Sequence, residues 1–469
     1  MFNRSILNEF RAWENAVVRK PLVLRGARQV GKTTAVEIFS KEYDQFIHLN
    51  LEKPEEAALF SRGLSAPDLF QAILLQKNLP CIDGRTLLFL DEIQNSPEAV
   101  RMLRYFHEDL PDLHVIAAGS LLEILLAQEA IGMPVGRVQY LFLYPLTFRE
   151  YLEALGETQA LKALSNIPIS SVAIPKLFEL FHRFSLVGGM PEIVARYAAK
   201  RDVVSLKPIY ESLSQSFLDD IPKYALNETM KRVIGHCLGA APLHAGERIQ
   251  FAGFGKSNYR SREAGEALRI LERAMLIHLL YPTTSMEIPM LPDYKKSPRL
   301  QFLDIGLVNF AAGLQGEYFE HSDLHSFYRG KIAEMMVGQE LIGADTTSRR
   351  PPLFWVREKR QSPAEMDFLI RHENLAVPVE VKAGSAGRLR SIHQFIKRCP
   401  HSFAVRLYAG PLEINHLKTL EEKPFALLNL PYFLAGQLKE YIRWFVEEKT
   451  EGSAGLGSLR WSAPGVAAR

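Results

Sequence analysis

Short runs of consecutive apolar residues alternate with segments of helical spacing over the first third of the chain. Leu22-Val23-Leu24 and Leu87-Leu88-Phe89-Leu90 read as strands buried on both faces, and Leu113-His114-Val115-Ile116-Ala117-Ala118 as a third. The alternation continues to about Leu143, which predicts a parallel sheet with helices on both sides. From Leu146 to about Glu228 apolar residues recur at three- and four-residue spacing, as in Phe178-Glu179-Leu180-Phe181-His182-Arg183-Phe184, so a helical unit is expected. Gly188-Gly189-Met190-Pro191 breaks it and predicts a tight structural turn between helices. Between Met230 and Leu314 the order becomes helix, helix from Ser261 to Met275, then strands at Leu276 to Tyr281 and Leu300 to Leu303. Strand patterns return at Leu353 to Arg357, Glu365 to Ile370 and Val377 to Lys382, with a helix at Ser391 to Arg398. The expected units are 1–155, 156–228, 229–315 and 316–448, with a small, polar, aperiodic tail from 449 to 469 expected to be flexible.

The residues Gly26-Ala27-Arg28-Gln29-Val30-Gly31-Lys32-Thr33 spell G-x-x-x-x-G-K-T between the first strand and a helix that Thr34 continues. That spacing makes a phosphate-binding loop, so ATP and Mg²⁺ are the expected ligands. Glycine at Gly26 and Gly31 lets the backbone turn tightly and approach oxygen, and the amides of the following helix would point at the phosphates. Lys32 would reach the β- and γ-phosphates as a point charge, and the Thr33 hydroxyl would coordinate Mg²⁺. The second apolar run delivers two acids at its end: Asp91 as a Mg²⁺ anchor and Glu92 as the base that polarises attacking water. Ser120, at the tip of the third strand, would sense the γ-phosphate, although Gly-Ser after a strand is also an ordinary turn.

With Gly136-Arg137 and Tyr144-Pro145-Leu146-Thr147-Phe148-Arg149-Glu150-Tyr151 added, the chain resembles the prokaryotic AAA-type ATPases that carry a C-terminal domain of unknown function. The likeness extends over nearly the whole chain, through Val187-Gly188-Gly189-Met190-Pro191, Phe302-Leu303-Asp304-Ile305-Gly306-Leu307 and the segment from Gly330 to Lys382. It implies an α/β chain: a P-loop NTPase parallel sheet with a helical lid, a winged-helix middle and a C-terminal mixed α/β, nuclease-like domain. It also implies that Arg137 faces the γ-phosphate of its own or a neighbouring subunit's nucleotide, the second case requiring a homo-oligomer. Arg104 and Arg149 are rivals for that role.

If the Ser261 helix enters a major groove, Arg262, Arg269 and Arg273 are candidates for phosphate or base contact, with Lys256 and Arg260 preceding them. The two strands that follow are joined by a basic excursion containing Lys295, Lys296 and Arg299. Glu263, Glu266 and Glu272 lie in the same helix and would repel a phosphate backbone, so a solvated, salt-bridged helix is the alternative. In the last unit Glu380 and Lys382 are two apart and share one face of a strand. With Asp367 on the neighbouring strand and Glu334 on the preceding helix, they reproduce the acid, Asp, Glu-x-Lys layout of the restriction-endonuclease-like fold. There, two carboxylates hold a divalent metal and the lysine positions or activates water. His393 and Gln394 would lie on a helix covering that site. A cross-strand ion pair between Asp367 and Lys382 explains both residues without chemistry.

The bulk properties narrow the setting. A hydrophobic fraction of 47% and a charged fraction of 23% over 469 residues describe an ordinary globular, multidomain chain and exclude a fibrous or wholly disordered one. Cys81, Cys237 and Cys399 show neither metal-ligand spacing nor a disulfide framework, as suits a reducing compartment. Met1-Phe2-Asn3-Arg4-Ser5 leads into a polar helix, and Glu123 and Glu129 interrupt the most apolar stretch, so a cytoplasmic protein without a membrane partner is expected. A net charge of +3 does not by itself call for nucleic acid. Two function classes follow. One is an ATPase acting on DNA or RNA; the other is an ATP-driven regulatory switch whose C-terminal domains are inactive protein-interaction modules.

Overall fold

Strands β1 (Leu22–Arg25), β2 (Gln45–Asn50), β3 (Thr86–Asp91), β4 (His114–Gly119) and β5 (Gln139–Phe142) run parallel in the order β2-β3-β4-β1-β5. The computed structural model describes residues 2–120, 122, 132–134, 136–225, 227–314, 331–357, 364–384 and 389–454. Glu123, Glu129, Gly330 and the part of the expected tail from 455 to 469 lie outside the described residues. The strands are continuously apolar because each serves two cores. Leu22, Leu24, Leu87 and Phe89 join one hydrophobic cluster, while Val23, Leu88 and Leu90 join another on the opposite face. Parallel pairing also brings all the strand C-termini to one edge, where the loop after β1 and the acids after β3 must meet.

Helices Ile174–Val187, Pro191–Lys200 and Lys207–Asp219 form the helical unit. The turn at Gly188-Gly189 is closed by a residue far along the chain. A Cβ at position 188, where φ is +70°, would stand 2.2 Å from Asp304 Oδ1, and one at position 189 would stand 2.2 Å from the Leu146 carbonyl oxygen. The Gly189 amide donates to Asp304 Oδ2 at 2.6 Å, and Asp304 also caps helix Ile305–Ala311 by accepting from the Gly306 and Leu307 amides. Two sequence motifs are therefore halves of one joint. Burial pushes the Asp304 carboxyl up to about 6 against these hydrogen bonds.

Helices Glu228–Ala240 and Ser261–Arg273 precede β6 (Ile277–Leu280), β7 (Pro282–Thr283) and β8 (Arg299–Phe302), with β6 and β8 antiparallel. Then come β9 (Leu353–Arg357), β10 (Ala364–His372), β11 (Leu375–Val381), β12 (Phe403–Tyr408), β13 (Glu413–Lys418) and β14 (Pro424–Pro431). They build a mixed sheet in the order β13-β14-β12-β11-β10-β9-β7. The expected boundary at 315 is thus crossed: β7 lies parallel to β9, Pro282 beside Phe354 and Thr283 beside Trp355. The boundary at 448 also moves, because the last helix runs Leu438–Ala454, carried on from a buried stripe of Leu438, Tyr441, Ile442 and Phe445. One apolar cluster links the units, including Phe148 of the ATPase end, Phe181 of the helical unit and Phe433 near the C-terminus. The Phe148 and Phe181 rings meet edge to face at 4.9 Å. Among the described residues no helix is long and apolar enough to cross a membrane.

Candidate functional site

The chain leaves β1 at Arg25 and turns at Gly26, where a Cβ would stand 2.4 Å from the Leu143 carbonyl oxygen, so a larger residue does not fit. Gln29 and Gly31 have φ of +63° and +92°, which reverse the loop into helix Lys32–Phe39; Thr34 sits in its first turn. Lys32 Nζ folds back and donates to the carbonyls of Gly26 and Ala27 at 3.0 and 2.8 Å. Burial lowers this ammonium to about 8, with the charges of Glu92 and Asp91 opposing the shift. The Thr33 hydroxyl donates to Asp91 Oδ2 at 2.8 Å. A hydroxyl and a carboxylate in contact beside an ammonium are the donors expected to hold a hard cation against phosphate, so the residues present fit Mg²⁺.

Glu92 takes left-handed backbone, φ +52°, and its carboxylate accepts from Gln94 Nε2. Ser120 directly follows β4, whose Gly119 is level with Arg25 of β1. Gly26 through Thr34, Asp91, Glu92 and Ser120 accordingly share one edge of the sheet.

The motif Tyr144 to Tyr151 supports this loop from behind. Arg4, buried, donates from Nη1 to the Val30 carbonyl at 3.1 Å and from Nη2 to the Tyr144 carbonyl at 2.7 Å, and its Nε lies 3.0 Å from Glu150 Oε1. Thr147 and Glu150 form a capping box on helix Phe148–Ala154. Burial pushes the Glu150 carboxyl up, but Arg4 and the Ser5 hydroxyl outweigh it and hold it below the usual range. The Phe148 amide at the same helix end donates to Glu340 Oε1 at 2.9 Å, from helix Lys331–Gly343 of the last unit. Burial raises Glu340 to about 8, and nearby Glu150 adds to the rise.

The arginines are distributed differently from expectation. Arg137 lies two residues before Gln139, which is level with Leu22 at the start of β1, so it sits at the opposite edge of the sheet from the loop. Its Nε donates to Glu108 Oε1 at 2.7 Å, and Arg104 pairs with the same oxygen at 3.1 Å. This corrects the expectation that Arg137 faces its own chain's nucleotide: strand direction, not local sequence, decides the edge. Arg149 is exposed on helix Phe148–Ala154. Within the loop itself, Arg28 pairs with the buried carboxylate of Asp220, which also lies 3.1 Å from Lys223 Nζ at the end of the helical unit.

On helix Ser261–Arg273 two of the three acids are turned to backbone. Glu263 accepts from the Arg260 amide and Glu272 from the Leu279 amide, each at 2.9 Å. The exposed stripe is Arg262, Glu266, Arg269 and Arg273, so the acidity read from the sequence overstates what a ligand would meet.

The C-terminal quartet converges on one face of the mixed sheet. Phe368 is level with Val379, which sets Asp367 across from Glu380. Lys382 pairs with Glu380, and Asp367 Oδ2 accepts from the Val381 amide at 2.7 Å. The centre is held by Arg299 of β8, which corrects its expected place in a basic loop. Its Nη1 is 3.3 Å from Glu334 Oε2 and donates to the Asp367 carbonyl at 3.1 Å; its Nη2 pairs with Glu365 and lies 3.7 Å from Asp367 Oδ1. The guanidinium carbon stands 4.8 Å over the Phe354 ring. Burial raises Glu334 to about 8 and Glu380 to about 7, the neighbouring Asp367 adding to both and Arg299 opposing. Among the described residues no group of three or more His, Cys, Asp or Glu is arranged to hold a metal, so a divalent ion does not fit this arrangement. Nor does the helix carrying His393 and Gln394 present them to the cluster: Gln394 Oε1 accepts from Arg357 at 2.7 Å, and the His393 ring packs edge-on against Phe425 at 5.4 Å.

Residues 18–152 match the AAA domain family, residues 178–318 a Domain of unknown function (DUF8612) and residues 329–420 a Domain of unknown function (DUF4143). No curated protein matches the chain. Among solved structures, the chain is similar to the Walker-type ATPase of Pyrococcus abyssi, at 16% identity over 66% of this chain and 96% of that one, with a TM-score of 0.43. It is also similar to the ORC2 protein of Aeropyrum pernix, at 14% identity over 68% and 96%, TM-score 0.32. The RuvB Holliday junction branch migration motor of Thermotoga maritima follows at 15% over 63% and 93%, TM-score 0.24. By these family matches an AAA-type P-loop ATPase domain occupies the N-terminal part of this α/β chain, and two domains of unknown function follow it.

Proposed function

We propose that the chain binds ATP together with Mg²⁺, hydrolyses it, and couples hydrolysis to a nucleic-acid transaction. The observation that carries the hydrolytic reading is the 2.8 Å contact between Thr33 and Asp91 at the edge that also holds Lys32 and Glu92. Lys32, released from its own loop carbonyls, supplies a point charge to the phosphates, and the loop amides from Gly26 to Thr34 orient them. Mg²⁺ brought by the nucleotide would be held by Thr33 and Asp91 and would neutralise charge on the phosphate oxygens. Glu92, freed from Gln94, accepts a proton from the attacking water, and Ser120 faces the γ-phosphate side. Arg137, on the far edge, could serve as a finger only for a neighbouring copy, which would make the active form a homo-oligomer.

The nucleic-acid part of the reading, DNA or RNA, is supported by the Arg262, Arg269 and Arg273 stripe on the second helix of a winged-helix-like unit, with exposed Lys256 and Arg260 beside it. The nuclease-like last domain would grip or cut the bound polymer. A second reading, an ATP-driven cytoplasmic switch whose C-terminal domains only bind protein, is favoured by the Arg299 ion-pair network. Steady-state ATP turnover with and without double-stranded DNA, with Glu92→Gln as the control that binds without hydrolysing, tests both. DNA stimulation lost in the variant supports the first reading. Turnover indifferent to DNA supports the second, and no turnover at high Mg²⁺ removes Glu92 from its role.

A further inference from the structure

Asp91 is held at both oxygens of its carboxylate, Oδ1 by the Glu92 amide at 3.0 Å and Oδ2 by the Thr33 hydroxyl at 2.8 Å. The neighbouring strand brings a third group to Oδ2. In the pairing of β2 with β3, His48 is level with Phe89, two residues before Asp91, so the three side chains stand on one face of the sheet. His48 Nε2 lies 3.6 Å from Asp91 Oδ2. That is beyond a direct hydrogen bond, and Nε2 is buried without a hydrogen-bond partner among the described residues. Buried polar atoms are rarely left so, which marks this nitrogen as a position for something the occupied site contains. The ring is fixed between neighbours, 4.9 Å from the Phe89 ring and stacked at 6.0 Å on Phe46. Asn50, level with Asp91 itself, turns its Oδ1 to the Glu52 amide at 3.0 Å.

Mg²⁺ dehydrates reluctantly and keeps several waters, whose hydrogens point outward to acceptors. A carboxylate oxygen is one such acceptor, and an imidazole protonated at Nδ1 offers Nε2 as another. Here the two stand side by side, and about a third of the His48 side chain is open to solvent. We propose that His48 is a positioning residue of the cation site, its Nε2 and Asp91 Oδ2 together accepting from one water carried by Mg²⁺. The proposal rests on the reading in which Thr33 and Asp91 hold that ion, and adds a group that acts through water without touching metal or phosphate. It needs no rearrangement of the strand, since β2 already sets the ring against Asp91.

The test is binding of a fluorescent ATP analogue to the full chain, titrated with Mg²⁺ from an EDTA baseline, for wild type, His48→Phe, His48→Gln and Asp91→Asn. His48→Phe keeps a ring against Phe89 and Phe46 but has no acceptor, whereas His48→Gln keeps an acceptor and gives up the ring. His48→Phe is expected to need roughly tenfold more Mg²⁺ for half effect, and His48→Gln to stay within about twofold of wild type. Affinity in EDTA should be the same for all three. A role in ring packing alone predicts the reverse order. His48→Phe matching wild type, or His48→Gln failing as badly as His48→Phe, overturns the proposal. Should His48→Phe not fold, His48→Leu, apolar and smaller, must show the same loss for the proposal to stand. Asp91→Asn separates the two layers. Mg²⁺ dependence lost in Asp91→Asn but unaltered in His48→Phe removes His48 alone, whereas Mg²⁺ dependence unaltered in Asp91→Asn sinks the reading of the cation site itself.

Discussion

Arg4 and Glu150, both buried, stand 3.0 Å apart, and the same guanidinium holds the carbonyl of Val30 inside the phosphate-binding loop. Removing one partner of a buried pair strands the other charge. Glu150→Ala is therefore expected to cost about 3–5 kcal/mol, read from urea unfolding of the whole chain. Nucleotide affinity should fall with it, because the loop loses its rear support. An unchanged unfolding midpoint would show that Arg4 finds another acceptor.

Arg28 of the phosphate-binding loop pairs with the buried carboxylate of Asp220. The Arg28 side chain is about half exposed, so the pair is worth less than a buried one, on the order of 0.5–1 kcal/mol. Asp220→Asn keeps the shape and removes the paired negative charge from the guanidinium, which favours an anionic ligand there. A fluorescent ATP analogue should then bind roughly two- to fivefold tighter. Weaker binding would mean that Asp220 positions Arg28 for the nucleotide rather than withholding it.

Glu340 has a carboxyl raised to about 8 by burial, above its ordinary 4.5. The folded chain therefore holds a proton there that the unfolded chain has given up. Stability from this group is full below about pH 4.5 and declines toward pH 8, by at most about 1.4 kcal/mol per pH unit. Glu334 and Glu380, raised to about 8 and about 7, act in the same direction and window. Glu340→Gln, which retains an acceptor for the Phe148 amide, should flatten the slope of unfolding free energy against pH by one group's share. A slope identical to wild type would show that Glu340 is ionised in the fold.

The exposed stripe on helix Ser261–Arg273 predicts a salt signature. Each phosphate contact contributes about one unit to the slope of log affinity against log salt, so Arg269→Ala should reduce that slope by about 1 without changing sequence preference. Electrophoretic shift or anisotropy with duplex DNA across a salt series reads it. A slope equal to wild type would remove this face from the interface.

The phosphate-binding loop and the acidic strand were legible in the sequence because their chemistry is local: Gly26 to Thr33 and Leu87 to Glu92 are contiguous, and apolar runs mark buried strands. Arg4, Asp220, Glu340 and Arg299 were not, since each acts on a partner distant in the chain and stands in no pattern of its own. Glu365 carried a faint signal, two residues before Asp367 and hence on the same face of a strand. Charge counting misjudged helix Ser261–Arg273, because Glu263 and Glu272 serve backbone amides and present little charge outward. The place of Arg137 relative to its own chain's nucleotide was hidden for a topological reason, since the order and direction of β1 and β5 put it on the far edge.

Pro282 and Thr283 supply the outermost strand of a sheet that the final unit otherwise builds alone. A proline suits that margin, where among the described residues no further strand lies beyond it to receive its missing N–H. Splitting the gene between the two domains of unknown function would uncover β9, whose central Phe354, Trp355 and Val356 are buried, and offer a sticky apolar margin to other copies. The pair is in this sense a single heritable piece: any rearrangement that moves one without the other should yield aggregates rather than two working parts.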